Sequence, residues 1–204
     1  VAFYRTFKMT TPLLIWSSCA IIYLVFLLWY IGFKKKISVD EIEQIREFLV
    51  SKIGHSPRRI DGICRFFEND NGKDFVMINV LELKKPHDAS REKLQQYQKI
   101  FLGNLLKRAG HPVLIATAAG GNIENIDCDS DKWTTAGMVR YRSRRDLLEM
   151  LLSTVDSEHH KLKLEALDRT FAFPASPWML FGGPKLLVPL VLLLLGALAT
   201  LAAL

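Results

Sequence analysis

Asn79 stands in the middle of an apolar run, Phe75 to Leu83 (FVMINVLEL), where an amide needs hydrogen-bond partners or a cavity to face. One reading makes it a pocket-lining group, with Trp133 and Tyr141 on the same pocket. The other makes it an amide that ties down a neighbouring loop, with both aromatics in the core. Arg140, Arg142, Arg144 and Arg145 form the densest basic cluster away from the chain ends. They have the chemistry to hold an anion or lipid headgroups, against the plainer reading of a solvent-facing edge. His159 and His160 are adjacent, so on a helix their side chains diverge by about 100° and cannot share one metal as an i, i+4 pair would. A solvated helix face suits them, with a general-base role for one as the alternative. The spacing of Cys64 and Cys128 suggests no metal site, and no cofactor is expected. Gly120-Gly121 belongs to no phosphate loop or dinucleotide fingerprint, and no serine has the context of a nucleophile elbow. No reaction can be named from these residues alone.

The elements that position them follow from periodicity. Ser38 with Glu41 three residues on reads as a capping box, opening an amphipathic helix through Ile42, Ile45, Phe48, Leu49 and Ile53 that Gly54 closes. His55 to Asp61 reads as loop, Ile63 to Phe67 as a short strand, and Asn71-Gly72 as a reversal. Phe75 to Leu83 is the strongest strand. Phe75, Met77, Leu81 and Leu83 point one way and Val76, Ile78 and Val80 the other, so it is expected at the centre of a sheet. A helix capped by Asp88 or Ser90 runs to about Arg108, with Leu94, Tyr97, Phe101, Leu105 and Leu106 on one side and Gly110 after it. Strands are expected at Val113 to Ala119, with Gly120-Gly121-Asn122 beyond, and at Thr135 to Tyr141. Ser143 and Asp146 cap a helix through Leu152, a further helical stretch covers Asp156 to Leu167, and a last strand covers Arg169 to Phe173. Strand, helix, strand, strand, helix, strand predicts an α+β, ferredoxin-like domain. One sheet face would then be apolar and bare unless a second copy covers it.

Charge places this domain. The chain has 204 residues, half of them hydrophobic, and a net charge of +6. All 21 acidic residues fall between Asp40 and Asp168, and 21 of the 27 basic residues lie within 37–170. The excess, Arg5, Lys8, Lys34, Lys35, Lys36 and Lys185, flanks two apolar runs. That pattern belongs to membrane flanks and argues against nucleic acid. Pro12 to Phe33 contains 22 uncharged residues, roughly 33 Å as a helix. It ends on Trp29, Tyr30 and three lysines rather than on small residues, so an anchor is expected over a cleaved signal. Leu186 to Leu204 is a second span, with Pro189 in its first turn. Phe171 to Pro184 reads as a linker along the membrane surface, with Trp178 and Phe181 at the interface and Lys185 beyond them. The positive-inside rule then expects a two-pass inner-membrane protein with the central domain cytoplasmic and both termini across the bilayer.

Val76 to Leu81, Tyr97, Ala119-Gly120-Gly121, Trp133, Val139 to Arg144 and Met150 resemble a widespread bacterial domain family of unknown function. That family belongs to the dimeric α+β barrel superfamily, whose relatives include haem-degrading and quinol-type monooxygenases. The resemblance spans about Phe75 to Phe173. It departs from the family at Arg142, where proline is usual, and near Leu83, where an aromatic is usual. It implies the fold and a homodimer, and it brings no established activity.

The expected order is a flank (1–11), a span (12–33), a basic stop and linker helix (34–54), a loop with a short strand (55–74), the ferredoxin-like domain (75–173), an interfacial linker (174–185) and a second span (186–204). The functional expectation is a membrane-anchored homodimer acting as an interaction or accessory subunit of a larger membrane complex. The alternative is a small-molecule enzyme, monooxygenase-like or isomerase-like, with a pocket between sheet and dimer partner.

Overall fold

The computed structural model describes residues 2–33, 35–53, 56–121, 123–124, 126–127, 132–154, 158–178, 180 and 182–203. Lys34, Gly54, His55, Asn122, Cys128, Asp156 and Phe181 lie outside these, as do the side chains of Arg5, Lys8 and His159. The chain divides into two compact units, Val1–Phe33 with Trp178–Leu204, and Lys34–Pro177.

The first unit is a pair of antiparallel helices, α1 (Ala2–Ile31) and α7 (Pro184–Ala203). Both are long and apolar enough to cross a membrane. They meet where Gly196 leaves room for the Trp16 indole, whose Cζ3 is 2.9 Å from where a Cβ would stand. The Cys19 thiol points to the Leu192 carbonyl (3.6 Å) and the Tyr23 hydroxyl to that of Lys185 (3.3 Å). The Lys185 ammonium stands 5.6 Å from the centre of the Tyr30 ring, a cation–π contact between the two helices. Trp29 is half-exposed and Trp178 fully exposed. Two boundaries differ from expectation. Pro12 lies inside α1, and α7 starts on Pro184 at its first position, so Pro189 is interior. Gly183, at φ 91°, supplies the carbonyl that accepts from the amides of Leu186 and Leu187.

The second unit is α+β. Its helices are α2 (Val39–Phe48, continuing as a π-turn over Leu49–Ile53), α3 (Pro57–Glu68), α4 (His87–Lys107), α5 (Arg144–Thr154) and α6 (Glu158–Ala166). Its strands are β1 (Phe75–Leu83), β2 (His111–Thr117), β3 (Thr135–Tyr141) and β4 (Leu167–Ala175). They form one antiparallel sheet in the order β2-β3-β1-β4. β1 is central, hydrogen-bonded along both edges, as its two apolar faces require.

Ser38 and Glu41 form the expected capping box at α2. The expected strand at Ile63 to Phe67 is instead part of α3. Ile60, Cys64 and Phe67, spaced i, i+4, i+7, make one buried stripe, and Pro57 starts the helix at a position that needs no N–H. Asp70 and Asn71 carboxyl and amide oxygens accept from the amides of Gly72 and Lys73, turning the chain into β1. Neither Asp88 nor Ser90 caps α4, which opens after Pro86 with no side-chain cap, and Leu106 is exposed rather than on the buried side. The last strand, expected over Arg169 to Phe173, runs on through residues 174 and 175, which were expected in the linker. It is an edge strand, where Pro174 costs no ladder bond.

The core gathers under one sheet face. Tyr141 stacks on Phe75 at 5.3 Å, Phe66 meets Phe75 edge-on at 5.2 Å, and Cys64, Phe67 and Leu105 are almost inaccessible. Gly110 brings the α4–β2 turn against this core. A Cβ there would stand 2.4 Å from Leu105 Cδ1 and 2.9 Å from the Arg140 carbonyl oxygen. Gly110→Ala is therefore expected to destabilise by about 1–3 kcal/mol, read as a lower Tm. Gly103→Ala, with open space on α4, serves as the control and should be neutral or stabilising.

Candidate functional site

The helices do not close over β4. α4 and α5 stand over β1 to β3 and α6 touches the start of β4, which leaves a cavity of about 850 Å³ between α3, α5, α6 and the β4 floor. Its walls are Ile45, Phe48 and Leu49 from the α2 segment, Ile63, Phe66 and Phe67 from α3, Met77 from β1, and Leu147, Leu148, Leu151 and Leu152 from α5. The floor is Thr170, Ala172 and Pro174, on the same sheet face as Met77. Polar groups enter at the margin: Arg59, His160, Lys163, Asp168 and Arg169. Arg169 is directed to Glu82, 3.9 Å away.

His160 and Lys163 are one turn apart on α6, so they share a face. Burial lowers the pKa of His160, with the Lys163 charge adding to the effect. Burial also lowers that of the Lys163 ammonium, which stands 5.7 Å from the centre of the Tyr97 ring. The Tyr97 hydroxyl is itself pushed up to about 12 by burial. Among the described residues, no cluster of His, Cys, Asp and Glu is arranged to hold a metal.

Lys163 is not among the residues expected from sequence to form a site. The signal was present: His160, Lys163, Leu164 and Leu167 follow the i, i+3, i+4, i+7 rule, an apolar stripe with two titratable members. The adjacency of His159 and His160 is uninformative, because on a helix the neighbour of His160 is Lys163, three residues on.

The three residues expected to share a pocket are not brought together. Asn79 donates to the carbonyls of Met77 (3.1 Å) and Gly137 (3.4 Å), so its amide ties the two central strands rather than a loop. Tyr141 is in the core, its hydroxyl pKa raised by burial. Trp133 precedes the opposite end of β3, and Thr135 and Tyr141 are already separated by about 20 Å of extended chain. None of the three lines the cavity.

Nor do the four arginines form an anion site or a solvent-facing edge, because each guanidinium is used inside the fold. Arg140 is 2% exposed, paired with Asp74 (2.9 Å) and donating to the Ala109 carbonyl (2.8 Å). Arg142 forks onto Asp146 through Nε and Nη2 (3.0 and 2.6 Å), while the Ser143 hydroxyl caps α5 through the Asp146 amide. Arg144 lies over the Phe66 ring and donates to the Phe66 carbonyl. Arg145 reaches both Glu41 oxygens (2.8 and 2.9 Å) and the carbonyls of Lys35 and Lys36 (3.1 and 2.7 Å). Strand alternation did not apply to three of them, since β3 ends at Tyr141.

No family model matches the chain, and no curated protein sequence matches it. Among solved structures it is similar to RPA0582 of Rhodopseudomonas palustris, a protein of unknown function. The identity is 17%, over 58% of this chain and 93% of that one, with a TM-score of 0.49. The methylated form of RPA0582 matches at 20% identity over 58% and 91%, with a TM-score of 0.48. An uncharacterised NIPSNAP-like domain protein of Burkholderia xenovorans matches at 13% identity over 54% and 90%, with a TM-score of 0.35.

The Arg145 fork, with the Ser38 hydrogen bonds, holds the Glu41 carboxyl down to about 2 from its ordinary 4.5. A depressed folded-state pKa means stabilisation that is present above about 4.5 and lost as pH falls toward 2. Glu41→Gln keeps the capping box, because glutamine also accepts from the Ser38 amide, and removes only the charge. The Tm difference between the native chain and Glu41→Gln is expected to be largest near neutral pH and to close between pH 4.5 and 2.

Proposed function

We infer that the chain is a membrane-anchored, homodimeric protein of the ferredoxin-like, α+β-barrel type, serving as an interaction or accessory subunit of a membrane assembly. The observation that carries this reading is the bare sheet face. Opposite the helices, Ile78 and Val80 of β1, Met138 of β3, Leu114 of β2 and Phe171 and Phe173 of β4 share one surface, with Leu114 43%, Phe171 57% and Phe173 41% exposed. A monomer in water seldom leaves such a patch uncovered. A second copy presents the same patch, and two-fold pairing of sheet on sheet buries both at once. The strand order β2-β3-β1-β4 and the helix placement suit that pairing.

Anchoring is supported by α1 and α7. Away from their mutual contact their apolar side chains are exposed, with only 6% of each apolar window buried, which favours lipid as the surrounding medium. Lys35, Lys36 and Lys185 at the domain end of the helices favour a cytoplasmic domain with both termini opposite, in a two-pass inner-membrane arrangement. Confinement to one membrane also raises the effective concentration of one copy near another.

Phe171→Lys tests the pairing. In mild detergent the native chain is expected to have twice the protomer mass by light scattering. Phe171→Lys should be a single protomer with a Tm within a few degrees of native, because the replaced ring is already exposed. A native chain that stays monomeric at high concentration overturns the dimer. For topology, protease added to sealed inside-out vesicles should cut within 37–170, and protection of that segment overturns the cytoplasmic placement.

A further inference from the structure

The cavity on the helix side of the sheet lies wholly within one unit, so what it holds is independent of whether the opposite face pairs. Its volume falls inside the range of small-molecule sites, about 300–1,000 Å³. Its walls are aliphatic and aromatic over most of their extent, which favours a hydrocarbon chain over a polar metabolite. Its ionisable groups are unequally divided: Arg59, His160, Lys163 and Arg169, the last directed to Glu82, against the single carboxylate of Asp168 among the described lining residues. Lys163 is half-buried, its ammonium lies 5.7 Å from the centre of the Tyr97 ring, and desolvation lowers its pKa. An anion placed there supplies a counter-charge to the Lys163 ammonium, and a carboxylate matches one ammonium charge for charge, while Arg169 is already directed to Glu82.

We propose that this cavity binds a single-chain amphiphilic carboxylate of the fatty-acid class, its hydrocarbon against Phe66, Leu148 and Leu151 and its carboxylate at Lys163. No bond is made or broken. The ligand is held by burial of its chain and by one charge-assisted contact at the mouth.

The test uses the full chain in a steroid-based detergent that has no alkyl tail, titrated with the fluorescent fatty acid cis-parinaric acid and competed with palmitate or hexadecanol. Saturable binding is expected, displaced by palmitate far better than by the uncharged alcohol. Lys163→Gln should weaken palmitate on the order of ten-fold and leave hexadecanol unchanged. Leu151→Trp, which fills the cavity, should weaken both. Equal competition by acid and alcohol on the native chain, or titrations that neither variant changes, overturns the proposal. If Leu151→Trp loses its cooperative melt, a diazirine-bearing palmitate crosslinked to the native chain decides. Adducts on α5 and α6 support the site, and adducts confined to α1 and α7 overturn it.

Discussion

The central strand β1 is apolar on both faces and hydrogen-bonded along both edges, so it can exist only where two layers can cover it. α3, α4 and α5 supply one layer, packing Phe66, Phe67, Leu105 and Leu148 against Phe75 and Met77. Among the described residues the opposite face is buried at Val76 and Arg140 and left open at Leu114, Phe171 and Phe173. Each larger feature follows from that asymmetry. The helix layer sets the core and leaves the β4 side partly open, while the bare face carries Ile78, Val80 and the two β4 phenylalanines.

The arginines around the start of α5 hold the helix layer to the sheet. Arg140 is buried at the β3 end with Asp74 and the α4–β2 turn, Arg142 closes on Asp146, Arg144 clamps α3 through Phe66, and Arg145 fixes the segment before α2. Desolvating four guanidiniums would be costly if any were left unpaired, and each finds a carboxylate or a carbonyl. A basic stretch that looks like a ligand site in sequence is thus consumed by the fold. The titratable groups that line the cavity from α6, His160 and Lys163, sit in a stretch of mixed charge.

Local chemistry was legible wherever the information lies within three or four residues. The Ser38–Glu41 box, the Ser143–Asp146 cap, the turn at Asn71-Gly72 and the bounds of β1 and β3 all follow from such short-range patterns. Ile63 to Phe67 by itself is compatible with a short strand, whereas the structure makes it part of α3. The helical stripe is visible only from Ile60 to Phe67, because it needs two turns to repeat. Likewise Trp133 and Tyr141 are kept apart by the length of β3.

The sequence alone determined two apolar helices of membrane length, a neutral domain between cationic flanks and a two-faced central strand, because composition, period and charge are carried by neighbouring residues. Tertiary structure decided which face of β1 the helices cover, that the arginines are internal, and that Lys163 looks into a cavity floored by β4. Those outcomes join residues far apart in the chain, such as Arg145 with Glu41. Such pairs meet only after the sheet order has closed the chain on itself, and no local pattern records that order.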